Sequence, residues 1–189
     1  MLTTHKPRCA WLPQDKPDYV AYHDTEWGRP VHDDVMLFEM LVLEGAQAGL
    51  SWYTILKRRK EYRKAFKHFN PEHVARMTDE QLEYVLTKTN VIRNRLKVFS
   101  VRKNAQVFLN IQKEWGSFDA YAWGFVDGKP VVHRAKKLTD IPAGIPASKA
   151  LSKDLKKRGM SFVGEGIIYA YMQAAGLVDD HMSMCYLSK

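Results

Sequence analysis

The two cysteines of this 189-residue chain, Cys9 and Cys185, lie near its opposite ends, and each has a histidine close enough to share a metal ion. His23 follows Cys9 in the N-terminal region, and His181 precedes Cys185 by four residues. Residues four apart share one face of a helix or meet across a tight turn. A thiolate and an imidazole so placed supply half of a tetrahedral zinc site, and four protein ligands would make that zinc structural.

The spacing alone leaves two other interpretations open. Free cysteine is often buried as a small hydrophobic residue, and the paired Cys-x-x-Cys segments typical of zinc fingers are absent from this sequence. A disulfide between Cys9 and Cys185 is disfavoured, because the sequence has no secretory hydrophobic segment and we therefore expect a reducing, cytoplasmic compartment.

Composition favours one domain over residues 1–189, with a hydrophobic fraction of 46% that can form a sizeable core. No apolar run approaches the roughly 20 residues that a membrane span requires, so we expect no membrane partner. The chain has 29 lysines and arginines against 21 acidic residues, a net charge of +8. A basic surface favours polyanions such as nucleic acid, although a solvated basic face can also serve only solubility.

Apolar residues recur at helical spacing over most of the chain, which predicts an all-α protein of about eight helices. Several helix starts carry capping signals. The predicted starts are Asp33 or Asp34, Asn70 with a following proline, the Thr78–Gln81 capping box, and Asn90 before a long helix that ends near Gly116.

Three further segments complete the expected organisation. Prolines predict loops and short turns up to Pro30, and the segment from Thr54 to Phe69 has the pattern of one basic amphipathic helix. The segment from Gly124 to Pro146 predicts an ordered loop, with a small hairpin at Asp127-Gly128.

Two C-terminal helices are predicted to form a helix-hairpin-helix. Ser148 would cap the first, which ends at Arg158 with Gly159 behind it, and the second would run from about Gly164 to Ala175. The amides that open the second helix form an anion site, and basic side chains flank the connection. An ordinary pair of antiparallel helices with a solvated basic face is the alternative.

Glu44 falls on the helix face that should be buried, together with Leu37 and Leu41. A buried carboxylate is costly unless it is paired or lines a cavity. Trp52 and Tyr22 supply aromatic faces, and an acid among such rings suits a flat cationic base. The alternative is an acid satisfied by an arginine or by backbone amides, with the tryptophan simply in the core.

Taken together, these segments resemble the bacterial DNA-3-methyladenine glycosylases of type I, members of the helix-hairpin-helix superfamily. The resemblance extends from Cys9 to Cys185, nearly the whole chain. Its most specific blocks are the one around Tyr22-His23 and the one from Glu44 to Trp52, and Asp180-His181 with Cys185 is a further match.

The resemblance implies one structural zinc ion per chain, held by Cys9, His23, His181 and Cys185. It also implies a monofunctional enzyme that flips 3-methyladenine out of alkylated double-stranded DNA and excises it by hydrolysis. The flipped base would stack on Trp52 and meet Glu44, the catalytic residue, and Tyr22 at its polar edge. Leu50 would wedge into the DNA. A monomer in the bacterial cytoplasm is implied as well.

Two positions depart from the family pattern. Ala46 stands where the family often has a longer polar residue, and Glu165 follows Gly164 at the hairpin, where an acid opposes phosphate binding. A zinc-stapled module that binds distorted DNA without excising a base is therefore kept as the alternative function.

Overall fold

Helices dominate the computed structural model, which describes residues 6–188. Over that range there are ten α-helices, two short 3-10 helices and a two-stranded parallel sheet, which confirms the all-α expectation. The α-helices are α1 (Pro17–Thr25), α2 (Asp34–Gln47), α3 (Trp52–Leu56), α4 (Arg59–Ala65), α5 (Pro71–Ala75), α6 (Asp79–Lys88), α7 (Arg95–Trp115), α8 (Phe118–Gly124), α9 (Pro146–Lys157) and α10 (Glu165–Ala174). The strands are β1 (Val131–Val132) and β2 (Val178–Asp179), and the 3-10 helices are Lys67–Phe69 and Leu138–Asp140.

Three predicted helix starts are confirmed by their side-chain caps. Asp33 accepts a hydrogen bond from the amide of Met36 at the start of α2. Asn70 caps α5, which has proline at its first position. Thr78 and Gln81 form the predicted capping box of α6. Each cap satisfies amides that have no partner inside the helix, which is why these sequences fix the helix ends.

Two other helix starts were predicted at the wrong residue. α7 is capped by Asn94 and not by Asn90, although it ends before Gly116 as expected. Ser148 is the third residue of α9, and its hydroxyl reaches back to accept a hydrogen bond from the amide of Ile145. The two asparagines before α7 have the same capping chemistry, so the sequence did not distinguish them. α9 begins three residues earlier than predicted, because Pro146 stands at its first position, where no amide hydrogen is needed.

The remaining segments also differ from expectation. The N-terminal region contains α1, which begins with a proline at its first position, where no amide hydrogen is needed. The segment from Thr54 to Phe69 is broken into α3, α4 and a short turn whose residues Lys67, His68 and Phe69 all have positive φ. α8 was not predicted. No hairpin forms at Asp127-Gly128, because β1 pairs in parallel with β2 from near the C-terminus.

The central element of the core is α2, in which every residue from Leu37 to Ala46 is buried. It packs against α3, α7, α8 and α10, so from Leu37 to Ala46 no face of it is left to water. The buried side chains form one connected cluster that begins at Cys9 and ends at Cys185. Over residues 6–188 none of the helices is both long enough and apolar enough to cross a bilayer.

A group of charged side chains joins α4 to the rest of the core. Arg59 lies only 8% exposed and donates to Glu39 of α2 at 2.5 Å and to Glu26, just after α1, at 2.6 Å. Arg63 donates a further bond to Glu39 at 2.9 Å. Glu39 is therefore a buried acid whose charge is compensated by two guanidinium groups.

We expect that replacing Arg59 with methionine lowers the free energy of unfolding by about 3 kcal/mol or more, because it leaves a buried carboxylate with one cation fewer. The matched control is Arg76→Met, since Arg76 forms an exposed pair with Glu72 at 3.7 Å and should cost less than about 0.5 kcal/mol. Urea unfolding at pH 7 measures both. If both substitutions lowered the free energy of unfolding equally, the buried group of charged side chains would not stabilise the fold as described.

Candidate active site

A cavity of about 380 Å³ opens beside α2, at the position predicted for Glu44. α1, α2, α3 and α10 contribute to its walls, and a loop from the 124–146 segment closes one side. The residues that line it are Trp11, Tyr19, Tyr22, Trp27, Glu44, Gln47, Trp52, Leu138, Ile141, Ala170 and Gln173. Most of this lining is aromatic or apolar, which suits a flat ring more than an extended polar chain.

Glu44 is the acid of this cavity. Its residue is only 4% exposed, and its Oε2 atom is buried without a hydrogen-bond partner among the described residues. Burial raises the pKa of this carboxyl to about 8, so at neutral pH it is mostly protonated while the cavity holds no cation. A buried acid with a purely structural role normally has hydrogen-bond partners for both oxygens. This oxygen has none among the described residues, so it is available to a ligand.

Aromatic rings stand on both sides of the acid. The ring centroids of Tyr22 and Trp52 are 5.2 Å apart with an angle of 42° between the ring planes, and those of Trp11 and Trp27 are 4.8 Å apart. Burial also raises the pKa of Tyr22 well above its ordinary value, so its phenol stays neutral. The indole Nε1 of Trp52 is buried without a partner. The cavity thus offers an unpartnered acceptor, an unpartnered donor and several ring faces.

Local helix chemistry positions each of these groups. Helix α1 carries Tyr22, and Tyr19 lies one turn earlier on the same face. Helix α2 carries Glu44 in its last turn. Ser51 caps α3 by accepting from the amide of Thr54, which places Trp52 at the first helical position.

Leu50 lies outside this cavity, on the turn between α2 and α3. It is 40% exposed and lines an adjoining hollow of about 150 Å³ that shares Glu44 with the main cavity. Gly49, with φ of +77°, makes the turn possible. The turn is held from behind by Lys97, whose ammonium donates to the carbonyl oxygens of Ala46 at 2.8 Å and Ala48 at 2.5 Å.

The two chain ends meet at a buried cluster of metal-binding side chains. The ligand atoms of Cys9, His23 and Cys185 all lie within 4.8 Å of one another. The Sγ atom of Cys185 is 3.7 Å from Nε2 of His23, and both cysteines are free thiols. The two cysteines form no disulfide in this structure, and three of the four predicted zinc ligands come together where the two ends of the chain meet.

His181 lies beside this three-residue group without being part of it. Its ring centroid is 5.3 Å from that of His23 at an interplanar angle of 77°, and its Nε2 atom is buried without a partner. A buried ring nitrogen with no hydrogen-bond partner destabilises the folded protein unless its lone pair binds a cation.

Both histidines are oriented by a neighbouring carboxylate. Nδ1 of His23 is 2.8 Å from Asp24, and Nδ1 of His181 is 2.8 Å from Asp179. Each carboxylate thereby leaves Nε2 as the free atom, which is how carboxylates orient metal-bound histidines in general. Gly28 permits the approach of His181, because a Cβ at that position would lie 2.6 Å from its Cε1 atom.

The C-terminal helices α9 and α10 form the predicted helical pair. Their connection is fixed by Ser152, which donates to the carbonyl of Val163 at 2.7 Å, and by two hydrogen bonds between Asn104 and the backbone of Ser161. Gly159 follows α9 with φ of +101°. Glu165, which departs from the family pattern, lines a surface hollow together with Lys149, Lys153 and Lys156.

Sequence reasoning gave no role to several residues of the cavity. Trp11, Tyr19 and Trp27 were assigned no site function, and Gln173 and Leu138 were not considered. Tyr19 and Tyr22 at helical spacing could have revealed an aromatic face, but the prolines nearby had suggested loops. Leu138 gave no local signal at all, because its loop reaches the cavity only through tertiary contacts.

The α-helices therefore place one buried acid in a cavity lined by aromatic rings. Such a cavity is typical of proteins that bind a flat, hydrogen-bonding ring such as a nucleobase. Comparison with known proteins agrees. Residues 11–188 match the family model described as methyladenine glycosylase, and the chain belongs to that family.

Similar proteins cover nearly the whole chain. It is 48% identical over 178 residues to DNA-3-methyladenine glycosylase 1 of Escherichia coli strain K12, covering 94% of this chain and 95% of that one. It is 45% identical over 178 residues to DNA-3-methyladenine glycosylase of Haemophilus influenzae, with 94% and 96% covered. The structure of 3-methyladenine DNA glycosylase I from Staphylococcus aureus superposes with a TM-score of 0.92 at 37% identity, covering 96% of each chain.

Replacing Glu44 with glutamine should change how stability depends on pH. Because the pKa of this carboxyl rises from 4.5 to about 8 on folding, its ionisation destabilises the folded state. The free energy of unfolding of the wild type should therefore fall, relative to Glu44→Gln, between about pH 4.5 and pH 8 and then stay constant. The upper bound on this difference is about 5 kcal/mol, at 1.36 kcal/mol per pKa unit.

Urea unfolding at pH 5 and pH 8 measures this difference. Glu72→Gln is the control, because Glu72 lies on the surface of α5 and its substitution should leave the pH dependence unchanged. If the free energies of unfolding of wild type and Glu44→Gln changed with pH in parallel, folding would not raise the pKa of Glu44 and the prediction would be wrong.

Proposed function

We propose that this protein is a monofunctional DNA glycosylase that excises 3-methyladenine from alkylated double-stranded DNA after flipping the base into the cavity beside α2. The observation that carries the proposal is the unpartnered oxygen of Glu44, buried among aromatic rings. Membership of the methyladenine glycosylase family and the names of relatives at 45–48% identity support the same substrate.

The chemistry of the substrate explains why one acid can suffice. Methylation at N3 gives the purine a positive charge and weakens its glycosidic bond. When that bond breaks, its electron pair goes to the base, which leaves neutral, and water adds to the sugar carbon with loss of a proton. Glu44 would favour the cationic base and accept hydrogen bonds from it, and a cation beside Glu44 would in turn favour its ionised form.

The aromatic residues would supply recognition. Trp52 would stack on the flipped base, and the neutral phenol of Tyr22 would meet its polar edge. An undamaged adenine carries no charge to offset the desolvation of Glu44, so the cavity would select against it. Selectivity would thus come from electrostatics inside the pocket more than from acid catalysis.

Contacts to DNA would come from two surfaces. The exposed Leu50 on its Gly49 turn would enter the gap left by the flipped base. The α9–α10 pair would act as a helix-hairpin-helix, with the amides at the start of α10 and nearby lysines contacting phosphate. The sequence from Gly159 to Gly164 contains no lysine, so Schiff-base chemistry at this hairpin is not expected.

Release of free base from methylated duplex DNA tests the assignment. Glu44→Ala should lower kcat/KM by about 100-fold or more, because it removes the negative charge that favours the cationic nucleotide in the cavity over water. For the wild type, kcat/KM should rise with pH up to about 8, as Glu44 ionises, and Glu44→Gln should lack this limb. Glu72→Gln should match the wild type.

Two outcomes of that assay would change the assignment. Equal release by wild type and Glu44→Ala would remove the role of Glu44. Binding and bending of DNA by the wild type without any base release would favour the alternative, a module that only binds distorted DNA.

We also propose one structural zinc ion bound by Cys9, His23, His181 and Cys185. The support comes from the three converging ligand atoms, from the unpartnered Nε2 of His181 and from the carboxylates that orient both imidazoles. Two thiolates and two imidazoles are a preferred donor set for zinc and would leave no position open for substrate. The ion would tie the N-terminal segment to the C-terminus and so fix α1, which carries Tyr22.

Purified protein should therefore contain one zinc per chain, and Cys185→Ser should lose it and lower Tm by about 10 °C. The neighbouring exposed residue Met184 provides the control, since Met184→Ala should keep both zinc and Tm. His181→Gln should weaken zinc binding. Wild-type protein free of zinc, or full zinc retention by Cys185→Ser, would refute the site.

A further inference from the structure

Leu138 differs from every other residue that lines the main cavity, because it is the exposed one. Among the described lining residues Leu138 has half of its surface in water, whereas Glu44 and Tyr22 are buried and Trp52 is half-buried. An apolar side chain at the mouth of a substrate cavity is costly in water and gains stability when a ligand covers it.

The turn that carries Leu138 is rigidly built. Its Asp140 carboxylate accepts from the amides of Lys136 at 3.2 Å and Lys137 at 2.9 Å, and the amide of Ile141 donates to the carbonyl of Leu138. Just before the turn, the carbonyl of Ala135 accepts from the amide of Ser183. The exposed leucine is therefore held in place on a fixed turn, 136–141, and is not at the tip of a loose loop.

Charge around the turn points to a polyanion. Lys136 and Lys137 are both exposed, and neither ammonium group forms an ion pair within residues 6–188. The nearby acid, Asp140, is used by the backbone amides of the turn. The turn thus combines an apolar side chain that lines the cavity with two neighbouring exposed cations, a combination suited to a sugar and its flanking phosphates.

The position of the turn is separate from that of Leu50. Leu50 lines the adjoining hollow and Leu138 lines the main cavity, and Glu44 belongs to both. A nucleotide whose base occupies the main cavity must keep its sugar and phosphates at the mouth, since they remain joined to the DNA. The turn contributes Leu138 and Ile141 to the lining of the cavity, and of these two side chains Leu138 is the exposed one.

We propose that the 136–141 turn is a second DNA-contacting lip of the cavity, with Leu138 packing on the extruded nucleotide outside its base and Lys136 and Lys137 binding the flanking phosphates. This inference rests on the proposed glycosylase function. Leu138 is thereby a substrate-positioning residue for the DNA substrate, and it contributes little to the binding of the free base.

The first test compares Leu138→Ala with Met36→Ala. Met36 is 40% exposed and lies at the opposite end of α2 from Glu44, so its loss should leave activity unchanged. Leu138→Ala should lower kcat/KM for base release from methylated duplex DNA about tenfold, while the affinity for free 3-methyladenine changes less than about twofold. Thermal unfolding of both variants establishes that they are folded.

The second test uses salt dependence. Replacing Lys136 and Lys137 together with alanine should reduce the slope of log affinity for duplex DNA against log salt concentration by about 2, one for each lost phosphate contact. The control is Lys60→Ala with Lys88→Ala, two lysines of α4 and α6 that do not line the cavity. A slope reduced no more than in this control would overturn the phosphate contacts.

The outcomes separate this inference from the proposed function. If wild type releases 3-methyladenine and Leu138→Ala equals Met36→Ala, the lip is wrong and the glycosylase assignment stands. If Leu138→Ala loses affinity for free base in proportion to its loss of kcat/KM, Leu138 belongs to the base-binding wall and the proposed contact outside the base is refuted. If wild type releases no base, the proposed function itself fails.

Discussion

Helix α2 buries two carboxyl groups, and they differ in whether a positively charged side chain binds them. The fold depends on the first of these groups and the cavity depends on the second. Glu44 follows Glu39 by five positions, which places the two side chains about 140° apart around the helix axis. Glu39 faces α4, where Arg59 and Arg63 neutralise it. Glu44 faces a cavity in which its Oε2 has no partner. The same helix therefore has one acid that holds the fold together and one whose desolvation cost is met only when a ligand arrives.

The chain termini contribute to that cavity although neither carries the acid. The N-terminal segment brings Trp11 and α1 to the cavity, and its Cys9 and His23 lie beside Cys185 from the other end of the chain. Because His23 directly follows Tyr22, any force that fixes the imidazole also fixes the phenol. A metal ion bound between the two ends of the chain would therefore rigidify a site whose walls come from distant parts of the sequence.

Sequence patterns predicted those features that depend on local chemistry. The caps at Asp33, Asn70 and Thr78 satisfy amides within their own helices, so they could be predicted without knowing the fold. The burial of Glu44 followed from helical periodicity alone. The parallel pairing of β1 with β2 and the position of Leu138 depend on contacts between residues far apart in sequence, and no local pattern encodes them.

The misplaced elements have a similar origin. Prolines near α1 indicated loops, yet a proline at the first position of a helix is compatible with it, so Tyr19 and Tyr22 were not seen as one aromatic face. The basic segment from Thr54 to Phe69 has helical periodicity throughout. Its break is imposed by packing, since Arg59 must turn inward to reach Glu39 and Glu26. Where a buried charge needs a partner, tertiary demands override the local preference for one long helix.

The arrangement of charge also limits what the cavity can accept. The chain as a whole is basic, with a net charge of +8, so its surface attracts the DNA backbone without regard to damage. The cavity has the opposite preference, because Glu44 is the one acidic residue among the described residues that line it, and burial penalises its charge until a cation arrives. Attraction to DNA in general and discrimination among its bases therefore depend on different parts of the molecule. A positively charged purine in DNA suits both parts of the protein. The DNA that carries it is a polyanion that the basic surface attracts, and the base itself is a cation that suits the cavity.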